Sequence, residues 1–110
     1  MAADPHIHID ARLGGQAASR AVLASAFGLA ADLPPTVRSG CGLEVARAMT
    51  SVRPESVTCL TCREFGAEAH ERLAAQVESL GVLPGSPLTP AQVHEAAAHH
   101  RDLARRFTRG

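Results

Sequence analysis

The chain has 110 residues and a formal charge of zero at pH 7, with eleven acidic side chains balanced by eleven basic ones that are all arginine. That length fits one domain with a modest core, and the neutrality argues against the overall basic surface by which a nucleic-acid binder attracts phosphate. With three phenylalanines and neither tryptophan nor tyrosine, burial falls to scattered Leu, Val and many Ala, so a metal staple would add appreciably to stability.

In chain order, residues 1–5 are expected to form a loose terminus. His6-Ile7-His8-Ile9-Asp10 then alternates strictly between polar and apolar, the pattern of a short half-buried strand with the isoleucines on one face and His6, His8 and Asp10 on the other. Gly14-Gly15 ends it. From Gln16 to about Ala30, Val22, Leu23, Ala26, Phe27 and Ala30 recur at helical spacing, and Asp32-Leu33-Pro34-Pro35 stops that helix because proline restricts the residue before it and offers no amide donor. Ala21 to Ala31 is apolar enough to resemble a signal-peptide core, but it starts late, behind Asp4 and Asp10, and is too short to span a bilayer. The expectation is a cytoplasmic protein with no membrane segment.

Thr36 to Cys59 reads as a β-ribbon: Thr36 to Ser39 enters, glycines flank Cys41, Leu43 to Val52 runs back, and Arg53-Pro54-Glu55-Ser56 turns the chain toward Val57. The stretch Glu44 to Met49 is also helix-capable by propensity. Two helices follow. Thr61-Cys62-Arg63-Glu64 matches a capping box with Leu60 and Phe65 at the staple positions, and Phe65, Ala69, Leu73, Val77 and Leu80 form the expected buried stripe before Gly81 as terminator. Thr89-Pro90-Ala91-Gln92 repeats the start signal, and Val93, Ala96, Ala97, His100, Leu103, Ala104 and Phe107 form the apolar face of the second helix. The helices should pair as an antiparallel hairpin. The expected architecture is α+β and mostly helical, one zinc-stabilised domain over 1–110: an N-terminal strand and helix over 1–35, a small zinc-binding ribbon over 36–62 and a helical hairpin over 61–108.

All three cysteines lie in one stretch, Cys41 and, after seventeen residues, the Cys59-x-x-Cys62 pair. Two thiolates separated by two residues can point at one ion, and a third returning from such a spacer fits a structural zinc site. An odd number also fits a metal site completed by histidine better than a closed disulfide framework. Cys62 falls in a first helical turn, where amides and the helix dipole favour thiolate. For the fourth ligand, His70 stands eight residues beyond Cys62, about 12 Å along the helix axis, too far to share an ion with it. His94 and His99 lie off the apolar face as surface residues, and His100 reads as a core-edge histidine. His6 and His8 remain, on a strand that can lie beside the ribbon.

Cys41-Gly42 followed by Val57-Thr58-Cys59-Leu60-Thr61-Cys62, with a histidine in an earlier strand, resembles short uncharacterised zinc-binding proteins of actinobacteria and their phages. The resemblance covers mainly residues 36–65 and implies a structural Zn2+ site of Cys41, Cys59, Cys62 and His8, with His6 as the alternative, and no biochemical activity. The chain departs from the pattern in the long helical insertion between His8 and Cys41.

These readings favour a non-enzymatic regulatory or interaction module whose alanine-rich helical faces contact another protein or a second copy. A thiol-based redox or zinc-responsive switch at Cys59 and Cys62 is the runner-up, although thioredoxin-like use expects a βαβ context that is lacking here. Nucleic-acid binding rests on Arg101, Arg105, Arg106 and Arg109, opposed locally by Asp102. Cations at a helix C-terminus have a simpler electrostatic explanation, and the aromatics are too few for a stacking platform. The paired strand histidines of metal hydrolases need further ligands across a much longer chain.

Overall fold

The computed structural model describes residues 5–13 and 34–109; the helix expected over 16–30 lies outside them. The architecture is α+β, a two-stranded antiparallel sheet followed by two packed helices that form a hairpin. Strand β1 (Thr36–Arg38) pairs with β2 (Glu44–Ala46) in the register Thr36↔Ala46, Val37↔Val45, Arg38↔Glu44. Val37 is buried while its two neighbours are exposed, the alternation a one-sided ribbon requires. The run expected to continue as strand to Val52 instead becomes a 3-10 turn at Arg47–Met49, and a second such turn at Pro54–Ser56 redirects the chain. Helix α1 spans Leu60–Gly81 and α2 spans Pro90–Thr108.

Residues 7–11 run extended between the ribbon and the approach to α1. His8 N–H donates to Met49 O and His8 O accepts from Ser51 N–H, both at 2.9 Å, while Ile9 O accepts from Gly40 N–H. Ile9 O and Ile7 O share the edge opposite to that of the His8 bonds, Ile7 O accepting from the amides of Thr58 and Cys59 at 3.0 and 3.2 Å. Both edges of this segment are therefore paired, and both faces are covered as well, so it is not the half-buried strand the alternation implies: His8 is 2% exposed and Ile9 0%.

The core forms where this segment meets the start of α1 and the end of α2, from Ile9, Val57, Cys62 and Phe107 with Leu13, Phe65 and Ala67 packed against them. Gly66 makes the convergence possible, since a Cβ there would meet Ile9 and the Phe107 ring at 2.8 and 3.0 Å.

Two helix-boundary expectations fail, and each failure has a cause. The capping box at Thr61 does not form, because α1 begins two residues earlier with Cys59 as N-cap and no side-chain cap, Cys59 O accepting from Arg63 N–H at 2.9 Å. The pairing of Cys59 N–H with Ile7 ends the extended path there, and helix follows at once. Leu60 is left exposed rather than stapled to Phe65. Gly81 is not a left-handed terminator either: it is the last residue of α1 and has no positive φ, and a side chain there would overlap Val93 of α2. The buried stripe of α1 is accordingly Cys62, Gly66, Ala69, His70 and Ala74, with Leu80 exposed. The start of α2 follows its sequence signal: Thr89 Oγ1 accepts from Gln92 N–H at 3.1 Å and Gln92 Oε1 accepts from Thr89 N–H at 2.9 Å. Its buried residues Ala97, Ala104 and Phe107 lie on the expected apolar face.

Arg63 joins the two halves. Its guanidinium donates to Pro54 O, Val57 O, Arg106 O and Arg109 O at 2.5 to 2.8 Å, so one side chain satisfies carbonyls at the end of α2 and in the segment leading to Cys59. A cation at a helix C-terminus also complements its dipole. Charge-assisted bonds contribute about 1.5–3 kcal/mol each and do not add fully, so Arg63→Ala should lower stability by roughly 2–4 kcal/mol in urea titrations, with partial recovery in Arg63→Lys.

A second polar feature sits between the helices. His70 and His100 stack, their Nδ1 atoms 3.0 Å apart, and His70 also stacks on Phe107. Such a pair shares one proton, and His70 Nε2 is buried without a partner. Burial, then the nearby His100 and His99, pushes His70 down to about 4, and burial likewise lowers His100. An unfolded chain takes up these protons in the ordinary histidine range while the folded chain resists until lower pH, so stability is full above about pH 6.5 and falls toward pH 4. His70 alone accounts for at most about 3 kcal/mol of that fall. Denaturant midpoints measured from pH 7 to 4.5 should drop less steeply in His70→Leu than in the parent chain.

Candidate metal centre

Three separate parts of the chain deliver the cluster. His8 comes from the extended N-terminal segment, Cys41 from the turn between β1 and β2, and Cys59 and Cys62 from the first turn of α1. One ligand atom from each lies within 4.8 Å of all the others. Among the described residues this is the one group of three or more such side chains able to hold a metal ion. All three cysteines are free, Cys62 buried and the other two half-buried.

The nitrogen facing the sulfurs is Nδ1, 3.5 Å from both Cys41 Sγ and Cys62 Sγ. A tetrahedral ion with N and S ligands at zinc distances separates them by roughly 3.5 Å, so the spacing matches ligands around a common centre. Three thiolates and an imidazole form a soft donor set of the kind zinc takes, and a poor one for magnesium or calcium.

The local backbone explains how the sulfurs come together. Gly42 has φ +91°, a left-handed conformation that a side chain would strain; it closes a tight turn in which Gly42 N–H bonds to Ser39 O and Ser39 N–H to Leu43 O. Gly40 serves differently, by making room for the Phe65 ring. Burial raises the Cys41 thiol, but hydrogen bonds from the Ser39 hydroxyl and the Leu43 amide and from its neighbouring cysteines outweigh it, leaving Cys41 at about 7. For Cys62 burial dominates the opposing amides of Ile9 and Cys41 and pushes it up to about 11. A buried group of that kind ionises when a cation compensates it, which makes ion uptake and proton release one event.

Of the histidines singled out in the sequence, His8 joins the cluster. His6 is exposed, with its Nδ1 3.3 Å from Thr58 Oγ1. His70 pairs with His100, and His94 and His99 are exposed. Ser39, 1% exposed with its Oγ 3.0 Å from Cys41 Sγ, has no motif to announce it; the one clue is its place two residues before a cysteine in a glycine turn. What the fold and cluster define is an α+β chain with a His/Cys3 centre able to hold a metal ion. No family model, no curated protein and no solved structure matches the chain.

Ligand substitutions test the geometry directly. Cys41→Ser, Cys59→Ser and Cys62→Ser should each lose zinc, because an alcohol stays protonated near neutral pH. His8→Ala should weaken binding and His6→Ala leave it unchanged, as read by competition with a chromogenic chelator. Since Cys62 must surrender its proton, affinity should fall at least about tenfold for each pH unit between 8 and 6; an affinity independent of pH in that range would remove Cys62 from the ligand set.

Proposed function

We propose that the chain is a small structural-zinc protein, acting without catalysis as a regulatory or protein-interaction module, with the ion held by His8 Nδ1 and the sulfurs of Cys41, Cys59 and Cys62. The observation that carries this reading is the single nitrogen placed 3.5 Å from two sulfurs at once. One imidazole nitrogen directs its proton or lone pair along one line and serves one hydrogen bond well, whereas a central cation is shared equally by all its ligands. Four protein donors also complete a tetrahedral shell, leaving no open position for water or substrate, which separates structural zinc from catalytic zinc. Thiolate ligands suit a reducing, cytoplasmic setting, and among the described residues no helix is long and apolar enough to cross a membrane.

The partner we infer is another protein or a second copy of this chain. Leu80, Val82 and Leu83 are 57, 82 and 55% exposed around the turn between the helices, an apolar end of the kind that marks contact surfaces. Nucleic acid is disfavoured by the pairing of the arginines. Arg101 forms a two-pronged contact with Glu78 and Arg106 another with Glu55, so carboxylates beyond Asp102 oppose this basic end. The runner-up, a thiol-based or zinc-responsive switch, draws support from Cys41 at about 7; Cys62, raised by burial, is a poor attacking thiol.

Protein purified without added zinc should contain one zinc per chain. Structural zinc supplies about 10–16 kcal/mol of apparent binding free energy, comparable with the whole stability of a small domain, so chelation at neutral pH should abolish the cooperative thermal transition. An unchanged transition after verified metal removal would refute a structural role, and metal-free protein with a reversible disulfide would establish the thiol switch instead.

A further inference from the structure

We propose that Ser39 is a positioning residue of the metal centre, whose buried hydroxyl donates a hydrogen bond to the coordinating sulfur of Cys41 and sets both the orientation and the donor strength of that ligand. The inference rests on the zinc reading above and adds a residue to it. Ser39 Oγ lies 3.0 Å from Cys41 Sγ and accepts a hydrogen bond from Leu43 N–H at 3.1 Å. With the amide directed at the oxygen lone pairs, the hydroxyl proton is left for the sulfur. A metal-bound thiolate carries no proton of its own, so the direction of the bond is fixed as O–H to S. At 1% exposure the Ser39 hydroxyl is out of reach of water and is committed to these two neighbours. Residues that hydrogen-bond to metal ligands typically alter affinity when removed, by roughly 10- to 100-fold.

Two backbone bonds hold the turn without this hydroxyl, Ser39 N–H to Leu43 O and Gly42 N–H to Ser39 O, and what its removal takes from the turn is one acceptor for Leu43 N–H. Ser39→Ala therefore retains the fold and loses the sulfur contact. Thr and Val at this position, nearly identical in shape, separate the hydroxyl from packing should the alanine variant misfold.

The test is titration of the full chain with Co2+, followed by competition with Zn2+. In the parent, the thiolate-to-cobalt charge-transfer bands report the sulfurs directly. Ser39→Ala should bind roughly 10- to 100-fold more weakly, with those bands moved to longer wavelength because a sulfur relieved of its hydrogen bond is more easily oxidised. Ser39→Thr should restore both, and Ser39→Val should not. Equal affinity and identical spectra in the Thr and Val variants would overturn the role of Ser39 while leaving the metal reading intact. A parent chain that gives no charge-transfer bands with Co2+ would overturn the metal reading, and this inference with it.

Discussion

The short extended run from Ile7 to Ala11 is the constraint on which the rest depends. Its backbone bonds to Met49 and Ser51 on one edge and to Thr58, Cys59, Gly40 and Arg38 on the other, segments separated from it by some thirty to fifty residues. Buried backbone polar groups have to be paired, so this segment can be desolvated where all of those partners have arrived. Once it is in place, adjacent residues serve opposite ends: His8 faces the sulfurs, and Ile9 enters the cluster with Phe107 and Val57. The ligand centre and the apolar core are therefore two faces of one strand, and displacement of either disturbs the other.

The helical hairpin supplies surprisingly little apolar bulk of its own. Its buried positions are largely alanine, at 69, 74, 97 and 104, which lets the helices approach closely but removes less area from water per residue than leucine would. Phe107 is the large exception, and it packs toward Ile9 at the end that carries the His/Cys3 cluster. Attachment of the hairpin to the ribbon falls to Arg63 and to the Glu55–Arg106 pair. The exposed ion pair is the weaker of these, because solvent screens it; Arg63, with four carbonyls, is the tie that spans the junction. Its position immediately after Cys62 places the tie and a member of the His/Cys3 cluster in the same helical turn.

Local signals in the sequence were reliable where local interactions decide. The Thr89–Gln92 capping box and the helical hairpin appear in the structure as read, because each depends on residues a few positions apart or on neighbouring elements, and the three cysteines come together in one cluster. The matching signal at Thr61 failed for a long-range reason: Ile7, more than fifty residues upstream, ends the extended path at Cys59 and starts the helix early. Gly81 misled similarly, since its missing side chain accommodates Val93 across the hairpin instead of permitting a left-handed turn. The basic end looked less opposed than it is because Glu55 and Glu78 are distant in sequence from the arginines they meet. His8 was separable from the helical histidines by elimination, but only the fold distinguishes it from His6, through the burial of one and the exposure of the other.

Charge gives a physical reason for a histidine in the fourth place. A divalent ion with three thiolates and one neutral imidazole would carry a net charge of −1, whereas a fourth thiolate would make it −2. The centre lies in a poorly hydrated place, with His8 and Cys62 at 2% and 0% exposure, where each uncompensated charge is costly. The compensation at hand is modest: the amides of Ile9 and Cys41 toward Cys62, the amide of Leu43 and hydroxyl of Ser39 toward Cys41, and the N-terminal dipole of α1. A site with that set of neutral donors is better matched to one excess negative charge than to two, so the imidazole suits the electrostatics of the pocket as well as its geometry.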